Sequence, residues 1–190
     1  HSDHRRQRQM CIRDSLGSPR RMRRIRDQVE RCYRDEGVDP TKMKLGALRF
    51  AFVSDDKAEV DQYIDSARYQ QRIAVSLRER RQEVVDDYWI AEEPFPEELP
   101  WERIEPNIMV GDPTTVAERL VEEIELYGPS HLNIYFSVGD VPHKTAMRSM
   151  ERWMSEVVPL AEKHFGCPIS ELNDFPDPTP SARSDEEAAD

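Results

Sequence analysis

The strongest constraint on the fold comes from residues 107–165, where short apolar runs alternate with amphipathic segments and turn residues separate them. Residues 108–110 form an apolar run that predicts a strand. Asp112 and Pro113 follow it. Because aspartate suits an N-cap and proline suits the first helical position, a helix is predicted to begin at Pro113. Gly128, which is followed by a proline, is predicted to end that helix.

A second strand is predicted at residues 131–136, which are rich in β-forming side chains and contain neither glycine nor proline. Two strands joined by a helix make a βαβ unit, whose strands are parallel and whose sheet is covered by helices. Ligands of parallel α/β folds bind beyond the carboxyl ends of the strands. The candidate site residues are therefore those that follow the two strands: Gly111, Asp112, Ser137, Val138, Gly139 and Asp140.

The other periodic segments predict a helix over residues 19–36, a strand over 45–53, a helix over 57–81 with a shorter piece over 83–91, and a last helix over about 144–164. Three strands are predicted in all. A kink is expected at Pro159. Residues 92–105 contain three prolines and no periodicity, which indicates a loop. The last helix is predicted to bury Met147, Met150, Trp153, Met154, Val157 and Val158.

Five motifs follow one another in a recognisable order. They are Met109-Val110-Gly111-Asp112-Pro113-Thr114-Thr115-Val116-Ala117-Glu118-Arg119-Leu120, then Gly128, His131-Leu132-Asn133-Ile134, Pro142-His143 and Glu156-Val157-Val158-Pro159-Leu160. This order resembles the C-terminal end of the bacterial-luciferase-like flavin-dependent monooxygenases, and the resemblance extends more faintly upstream to about Gly37. It implies an α/β fold in which residues 19–166 supply about strands 6 to 8, with their helices, of a (β/α)8 TIM barrel.

The resemblance also implies an activity: a flavin-dependent oxidoreductase that uses reduced FMN and O2 to oxygenate a small organic substrate. The alternative within the family is hydride transfer with F420, without oxygen. Implied partners are a flavin reductase and further copies in a homo-oligomer. A complete barrel needs about 250 residues, and this chain has 190. We therefore expect the chain to be inactive alone, with most catalytic residues in preceding strands and none assigned here.

Gly111, Ser137 and His143 are the candidate cofactor-binding or pocket-lining residues. Gly111 precedes a helix N-terminus, which either faces a flavin phosphate or is closed by the Asp112 carboxylate acting as a cap. Capping is the favoured reading, since that carboxylate occupies the free N–H groups. His143 either lines the pocket or stands in the first turn of the last helix. The family often has an aromatic residue before the Pro-His pair, where this chain has Val141.

Other chemistries find little support in the spacing of the polar residues. Ser130, His131 and Asp140 could form a nucleophilic triad on paper, but no GxSxG motif is present and His131 lies at the amino end of its strand. The histidines at 131, 143 and 164 lack the spacing of a metal site. The three cysteines have no CxxC spacing. No metal is expected.

Charge is distributed unevenly along the chain. Residues 1–34 hold eleven arginines against four acids, whereas the whole chain has a formal net charge of -11. The favoured interpretation is an ordinary amphipathic helix with arginines on its solvated side, and nucleic-acid binding is not favoured. The alternative is a non-enzymatic α/β binding module whose basic helix contacts nucleic acid.

The two ends differ from the centre in composition. Residues 1–18 are predicted to be disordered, and residues 1–15 lack apolar periodicity and are suspected to be non-native. Residues 167–190 are predicted to be an acidic, proline-rich disordered tail. Because no signal-peptide core and no apolar run of about 18 residues appears, no membrane partner is expected and the predicted location is the cytoplasm.

Overall fold

The computed structural model describes residues 16–79, 83–85, 88–90, 98 and 100–172. The helices in these ranges are α1 (Pro19–Asp35), α2 (Lys57–Glu79), α3 (Trp101–Ile104), α4 (Pro113–Tyr127), α5 (His143–Arg152) and α6 (Val158–Phe165). The strands are β1 (Gly46–Val53), β2 (Glu83–Val85), β3 (Tyr88–Ile90), β4 (Met109–Gly111) and β5 (His131–Tyr135). The predicted alternation of strand and helix is therefore confirmed for the central elements.

The main sheet has three parallel strands in the order β4-β1-β5. β4 pairs with residues 51–53 of β1, and β5 pairs with residues 46–50. In a (β/α)8 barrel consecutive strands are neighbours, which would place β4 between β1 and β5. The observed order, with β1 between β4 and β5, differs from that arrangement.

Helices cover both faces of this sheet. Successive side chains of a strand point to opposite faces, and Phe50 and Phe52 of β1 accordingly pack with Tyr63 and the residues around it in α2. The Phe52 and Tyr63 rings are stacked with centroids 4.8 Å apart. The alternate residues of β1, Ala51 and Val53, pack with α4, α6 and the π-helical segment Trp153–Val157 between α5 and α6. The described chain is thus a three-layer α/β structure.

A buried ion pair joins β1 to α4. Arg49 is fully buried and its guanidinium lies 2.6 Å from the Glu123 carboxylate, which is also buried. The same guanidinium donates to the carbonyl oxygens of Gly17 (2.7 Å) and Asn107 (2.5 Å). Tyr127 donates its hydroxyl to the other Glu123 oxygen at 2.5 Å, and burial raises the pKa of this phenol. Every charge in the group therefore has partners, as burial requires.

The arginines of α1 are not all on its solvated side as predicted. Arg23 donates to the carbonyl of Leu126 at 3.2 Å, and Arg26 donates to that of Tyr127 at 2.6 Å. These carbonyls are at the C-terminus of α4, where the last turn lacks intrahelical donors and the helix dipole favours cations. Two of the arginines therefore anchor α1 to α4.

The last helical region differs from its prediction. It is interrupted by a π-helical segment, Trp153–Val157, directly before Pro159. A proline lacks an N–H and clashes with the preceding turn, and the wider π turn accommodates it. Trp153 and Val157 are buried as predicted, but Met147, Met150 and Met154 are exposed. Ala146, Ser149 and Ala161 take the inward positions.

Three further predictions were wrong in part. The chain contains an antiparallel pair, β2 with β3, in the piece over 83–91, so the count of three strands was too low. The predicted loop contains the short helix α3, whose Ile104 is buried. The packed core also extends past both predicted ends of the barrel segment, because Leu16 is buried and Leu172 packs on the second cluster. Residues 1–15 and 173–190 lie outside the described residues.

Substituting one member of the buried pair should be much more damaging than substituting both. Arg49→Met leaves the Glu123 carboxylate buried without its charge partner, so we expect a loss of about 3–5 kcal/mol in the free energy of unfolding. The double variant Arg49→Met/Glu123→Met should lose clearly less than the sum of the two single variants. Urea denaturation measures both.

The matched control is Arg148→Met, because Arg148 is half exposed in its pair with Glu59. Exposed pairs contribute about 1 kcal/mol or less. Equal losses for Arg49→Met and Arg148→Met would contradict the role given to the buried pair.

Candidate functional site

The carboxyl ends of the three parallel strands meet at one edge of the sheet. β1 is followed there by Ser54 and Asp55, β4 ends at Gly111, and β5 is followed by residues 136–142. The Ser54 amide donates to the Gly111 carbonyl at 2.9 Å, which holds the ends of β1 and β4 together. This is the edge where parallel α/β folds bind ligands, so the polar groups around it define the candidate site.

Asp112 closes the N-terminus of α4. Its Oδ1 accepts from the amides of Thr114 (2.9 Å) and Thr115 (3.2 Å), and its Oδ2 accepts from the Thr115 hydroxyl (2.6 Å). The Thr115 hydroxyl, followed by these amides, holds the pKa of this carboxyl below its usual range. The free N–H groups that could have bound an anion are thus occupied by the protein itself, which confirms the capping interpretation.

α5 lies across the carboxyl end of β1. The fully buried Ser149 accepts from the Val53 amide at 2.8 Å through its hydroxyl oxygen. Arg148 binds both carboxylate oxygens of Glu59. Arg152 lies 2.9 Å from the Asp55 carboxylate. One turn of α5 and the residues after it therefore fix the chain that follows β1.

Glu59 belongs to the same set of contacts. The Ser54 hydroxyl donates to its Oε2 at 2.6 Å, and this bond, followed by those from Arg148, keeps the pKa of the Glu59 carboxyl below its usual range. Ser54 also accepts from the Asp56 amide at 3.1 Å. The turn after β1 is therefore held by a hydroxyl and two ionised side chains.

Beside Arg152 the edge opens into a shallow cavity of about 640 Å³. Arg152 makes two ion pairs there, with Asp55 and with Glu156. The hydrogen bond with Glu156 is the main reason that the pKa of Arg152 is raised. The same bond lowers the pKa of the Glu156 carboxyl. The cavity is lined by Asp55, Asp112, Pro113, Thr114, Arg152, Glu156, Pro159, Leu160 and Lys163. Its charges thus largely neutralise one another.

The three predicted site residues lie at or next to this edge but do not form one site. Gly111 has φ +129°, a conformation that favours glycine, and a side chain there would approach Thr115 Cγ2 at 3.4 Å. Ser137 and His143 are exposed, and His143 is the first residue of α5. Among the described residues no hydrogen bond joins any two of the three, and none of them lines the cavity.

The remaining candidates after β5 have structural roles. Asp140 accepts from the Ser66 hydroxyl at 2.8 Å, and Gly139 lies so close that an added Cβ would be 2.8 Å from Ser66 Cβ. These contacts dock the loop after β5 on α2. The nucleophilic triad considered from the sequence does not form. Ser130 and His131 are at the amino end of β5, whereas Asp140 lies beyond its carboxyl end. No group of three metal-ligating side chains occurs in the described ranges.

The carboxyl edge also contains residues that the sequence did not single out. Ser149 lies between two methionines that were expected to be buried, and its burial depends on the rotation of α5. Arg152 reaches Asp55 across almost one hundred residues of sequence. The one available signal was the run Ser54-Asp55-Asp56 directly after a predicted strand, which marks a carboxyl end as clearly as Gly111 does.

No family model matches the chain. It is 33% identical over 142 residues to the uncharacterized protein y4vJ of Sinorhizobium fredii, across 75% of this chain and 40% of that protein.

Two solved structures share its fold in part. Monooxygenase RslO1 from Streptomyces bottropensis has a TM-score of 0.53 at 12% identity, over 76% of this chain and 39% of that one. EDTA monooxygenase EmoA from Chelativorans sp. BNC1 has a TM-score of 0.50 at 18% identity, over 87% and 44%. At these identities the likeness is one of fold. The chain spans about two fifths of the length of each of these three proteins.

No helix in the described ranges combines the length and the apolar character needed to cross a membrane.

Removing the Asp112 cap should destabilise α4 in a pH-dependent way. Asp112→Ala should cost about 1 kcal/mol at neutral pH, while Asp112→Asn, which keeps a side-chain acceptor, should cost less. The folded pKa of Asp112 is lowered from 3.8, so its ionised form is favoured in the folded state. The contribution of the ionised Asp112 to the free energy of unfolding is present above pH 3.8 and is lost as the pH falls through the folded pKa. Thermal unfolding between pH 2 and 7 measures it.

In both variants the part of the acid dependence due to Asp112 should disappear. Thr114→Ala is the control, since the Thr114 side chain is exposed and only its amide contacts the cap. If Asp112→Asn keeps the full acid dependence of the unchanged chain, the low pKa of Asp112 is not coupled to folding.

Proposed function

We propose that this chain is the C-terminal part of a reduced-flavin-dependent monooxygenase of the bacterial-luciferase-like class. The observation that carries the proposal is the parallel βαβ sheet, because its fold is shared with RslO1 and EmoA. The motif around Gly111-Asp112-Pro113 supports it, since the structure puts this motif at the carboxyl edge. In this proposal the longer protein oxygenates a small organic substrate with O2, works with a flavin reductase and forms a homo-oligomer.

The residues described here do not fit the phosphate end of a flavin. The helix N-terminus at the carboxyl edge is closed by the Asp112 carboxylate, which would repel an anion. Arg152 is already paired with the carboxylates of Asp55 and Glu156. Lys163 shares its cavity with three carboxylates. We therefore assign the phosphate contacts to the part of the longer protein that precedes this chain.

What this chain contributes is a fixed wall of the site. Ser149 and Arg152 hold the end of β1 in place, and the Asp112 cap fixes the start of α4. Because the polar groups of this wall are already paired with one another, they do not bind the substrate. The wall also excludes water from the space that it borders. The exposed Ser137 and His143 lie in and after the loop beyond β5, where they are free to line that space.

A closed barrel also requires a change in α2. Strands of a barrel present one face to the surrounding helices, while side chains alone fill the interior. Here α2 lies on Phe50 and Phe52 and α4 lies on the opposite face. One of the two faces must become the barrel interior. Since α4 and α6 share the face that contains the buried Arg49–Glu123 pair, we assign the interior to the face now covered by α2.

Cofactor binding tests the proposal. The 190-residue chain and a form extended by the coding sequence that precedes it in the source DNA are each titrated with reduced and oxidised FMN and with F420. Fluorescence of the cofactor reports binding. We expect micromolar or tighter binding of FMN by the extended protein and none by the 190-residue chain, because the phosphate contacts lie upstream.

The other outcomes are equally informative. If the extended protein binds F420 and not FMN, the proposed activity becomes hydride transfer in place of oxygenation. Binding of neither by a folded extended protein refutes the flavin assignment. Salt-dependent binding of duplex DNA by the 190-residue chain would then support the binding module, although Arg23 and Arg26 are already bonded to α4.

The position of α2 can be tested through Tyr63, which is fully buried and donates its hydroxyl to the Tyr135 carbonyl. In the 190-residue chain Tyr63→Phe should lower the free energy of unfolding by about 1 kcal/mol, because the Tyr135 carbonyl loses the hydroxyl that donates to it. In the extended protein the same substitution should have almost no effect if α2 has left this face. Urea denaturation of the four proteins gives the comparison.

Tyr69→Phe serves as the control, because Tyr69 is on the same helix and is half buried. It should change stability by less than about 0.5 kcal/mol in both backgrounds. An equal loss from Tyr63→Phe with and without the extension would mean that α2 stays on the sheet and the barrel arrangement is wrong.

A further inference from the structure

A second cavity lies away from the carboxyl edge, between α4, β5, the π-helical segment and the residues that follow α6. Its volume is about 570 Å³, which is within the range of small-molecule sites, about 300–1,000 Å³. It reaches Ser130 and His131, at the amino end of β5. It is therefore distinct from the proposed oxygenation site.

One wall of this cavity is apolar. Leu120 and Ile124 of α4 face it, as do Leu132 and Ile134 of β5. Trp153 forms part of the same wall and is held by an edge-to-face contact with Phe136, with ring centroids 5.6 Å apart. Met154, which is 62% exposed, stands at the surface. The apolar lining is thus continuous from the sheet to solvent.

The π-helical segment builds this wall. Trp153 and Met154 are its first two residues, and Val158, directly after it, also lines the cavity. A π turn is wider than an α turn and is found frequently at functional sites. It therefore gives this face of the helix an irregular shape that a regular helix would not have.

The rim is polar and carries a cation. Lys44 is exposed and lines the cavity, and it has no ion-pair partner in the described part of the chain. Ser130 and His131 lie beside it, since the Ser130 amide donates to the Leu45 carbonyl at 2.8 Å and the Leu45 amide donates to Ser130 Oγ at 3.4 Å. These backbone contacts hold the rim in place.

The one acid in the lining is already engaged. Glu162 Oε1 accepts from the Ile169 amide at 3.1 Å and so fixes the turn over residues 169–171, which forms the far wall. Lys44 lines the same cavity, and its ammonium can bind an anion.

We propose that this cavity binds an amphipathic monocarboxylate, with its apolar tail on the wall formed by Leu132, Ile134 and Trp153 and its carboxylate at Lys44. The exposed Lys44 ammonium, which has no ion-pair partner in the described part of the chain, favours an anion, and the apolar wall favours a ligand with a hydrocarbon body. This inference does not rest on the flavin assignment, because it involves neither the carboxyl edge nor a cofactor.

Calorimetric titration of the 190-residue chain with sodium decanoate tests the proposal, with decylamine as the probe of opposite charge. We expect saturable binding of decanoate and at least about tenfold weaker binding of decylamine, as expected for a charge-assisted contact. Lys44→Gln should weaken decanoate binding by about tenfold, whereas Lys57→Gln should leave it unchanged. Lys57 is paired with Asp61 on α2 and does not line the cavity.

A steric variant tests the apolar wall. Met154→Trp places a larger side chain at the exposed mouth, where the fold is not strained, and should abolish decanoate binding. Equal binding of decanoate and decylamine, or no effect of Lys44→Gln, overturns the proposal.

The segment after Leu172 is the competing occupant, because Leu172 lines the cavity and Phe175 is the only aromatic residue beyond it. If Phe175→Ser strengthens decanoate binding by more than about tenfold, the chain's own tail is the occupant and the proposal falls.

Discussion

The guanidinium of Arg49 organises the packing of four separate parts of the chain. It binds Glu123 of α4, the Gly17 carbonyl ahead of α1 and the Asn107 carbonyl ahead of β4, all from the centre of β1. A buried charge is tolerated only when its partners are in place. The four elements that it joins, α1, β1, β4 and α4, therefore cannot shift relative to one another without leaving the guanidinium exposed or unpaired. This constraint fixes which face of the sheet carries α4.

The opposite face is held differently. α2 is held there by apolar packing of Phe50, Phe52 and Tyr63 and by the hydrogen bond from the Tyr63 hydroxyl to the Tyr135 carbonyl. Polar contacts of Glu59 and Ser66 add to this packing. Apolar contacts are not directional, so other apolar side chains could replace those of α2 at little cost. The two faces thus differ: a buried and fully partnered ion pair specifies one, whereas apolar packing contributes most of the contact on the other.

The parts of this structure that the sequence predicted are those with local causes. Asp112 and Gly128 act within one turn of the helix ends they define, so both were identified correctly. The parts it missed depend on distant contacts. The periodicity of the methionines in α5 indicated an apolar face, but Ser149 faces inward because it reaches the Val53 amide. Likewise, no local pattern shows that Arg49 meets a carboxylate 74 residues away.

The same distinction explains why the candidate site was located only to an edge of the sheet. Parallel strands force their carboxyl ends together, so the position of Gly111 and of the loop after β5 followed from the βαβ pattern alone. Which side chains meet there depends on α5, and α5 is placed by Ser149, Arg148 and Arg152. Those ion pairs pair most charged groups at the edge with one another, whereas Ser137 and His143, in and after the loop beyond β5, have exposed side chains.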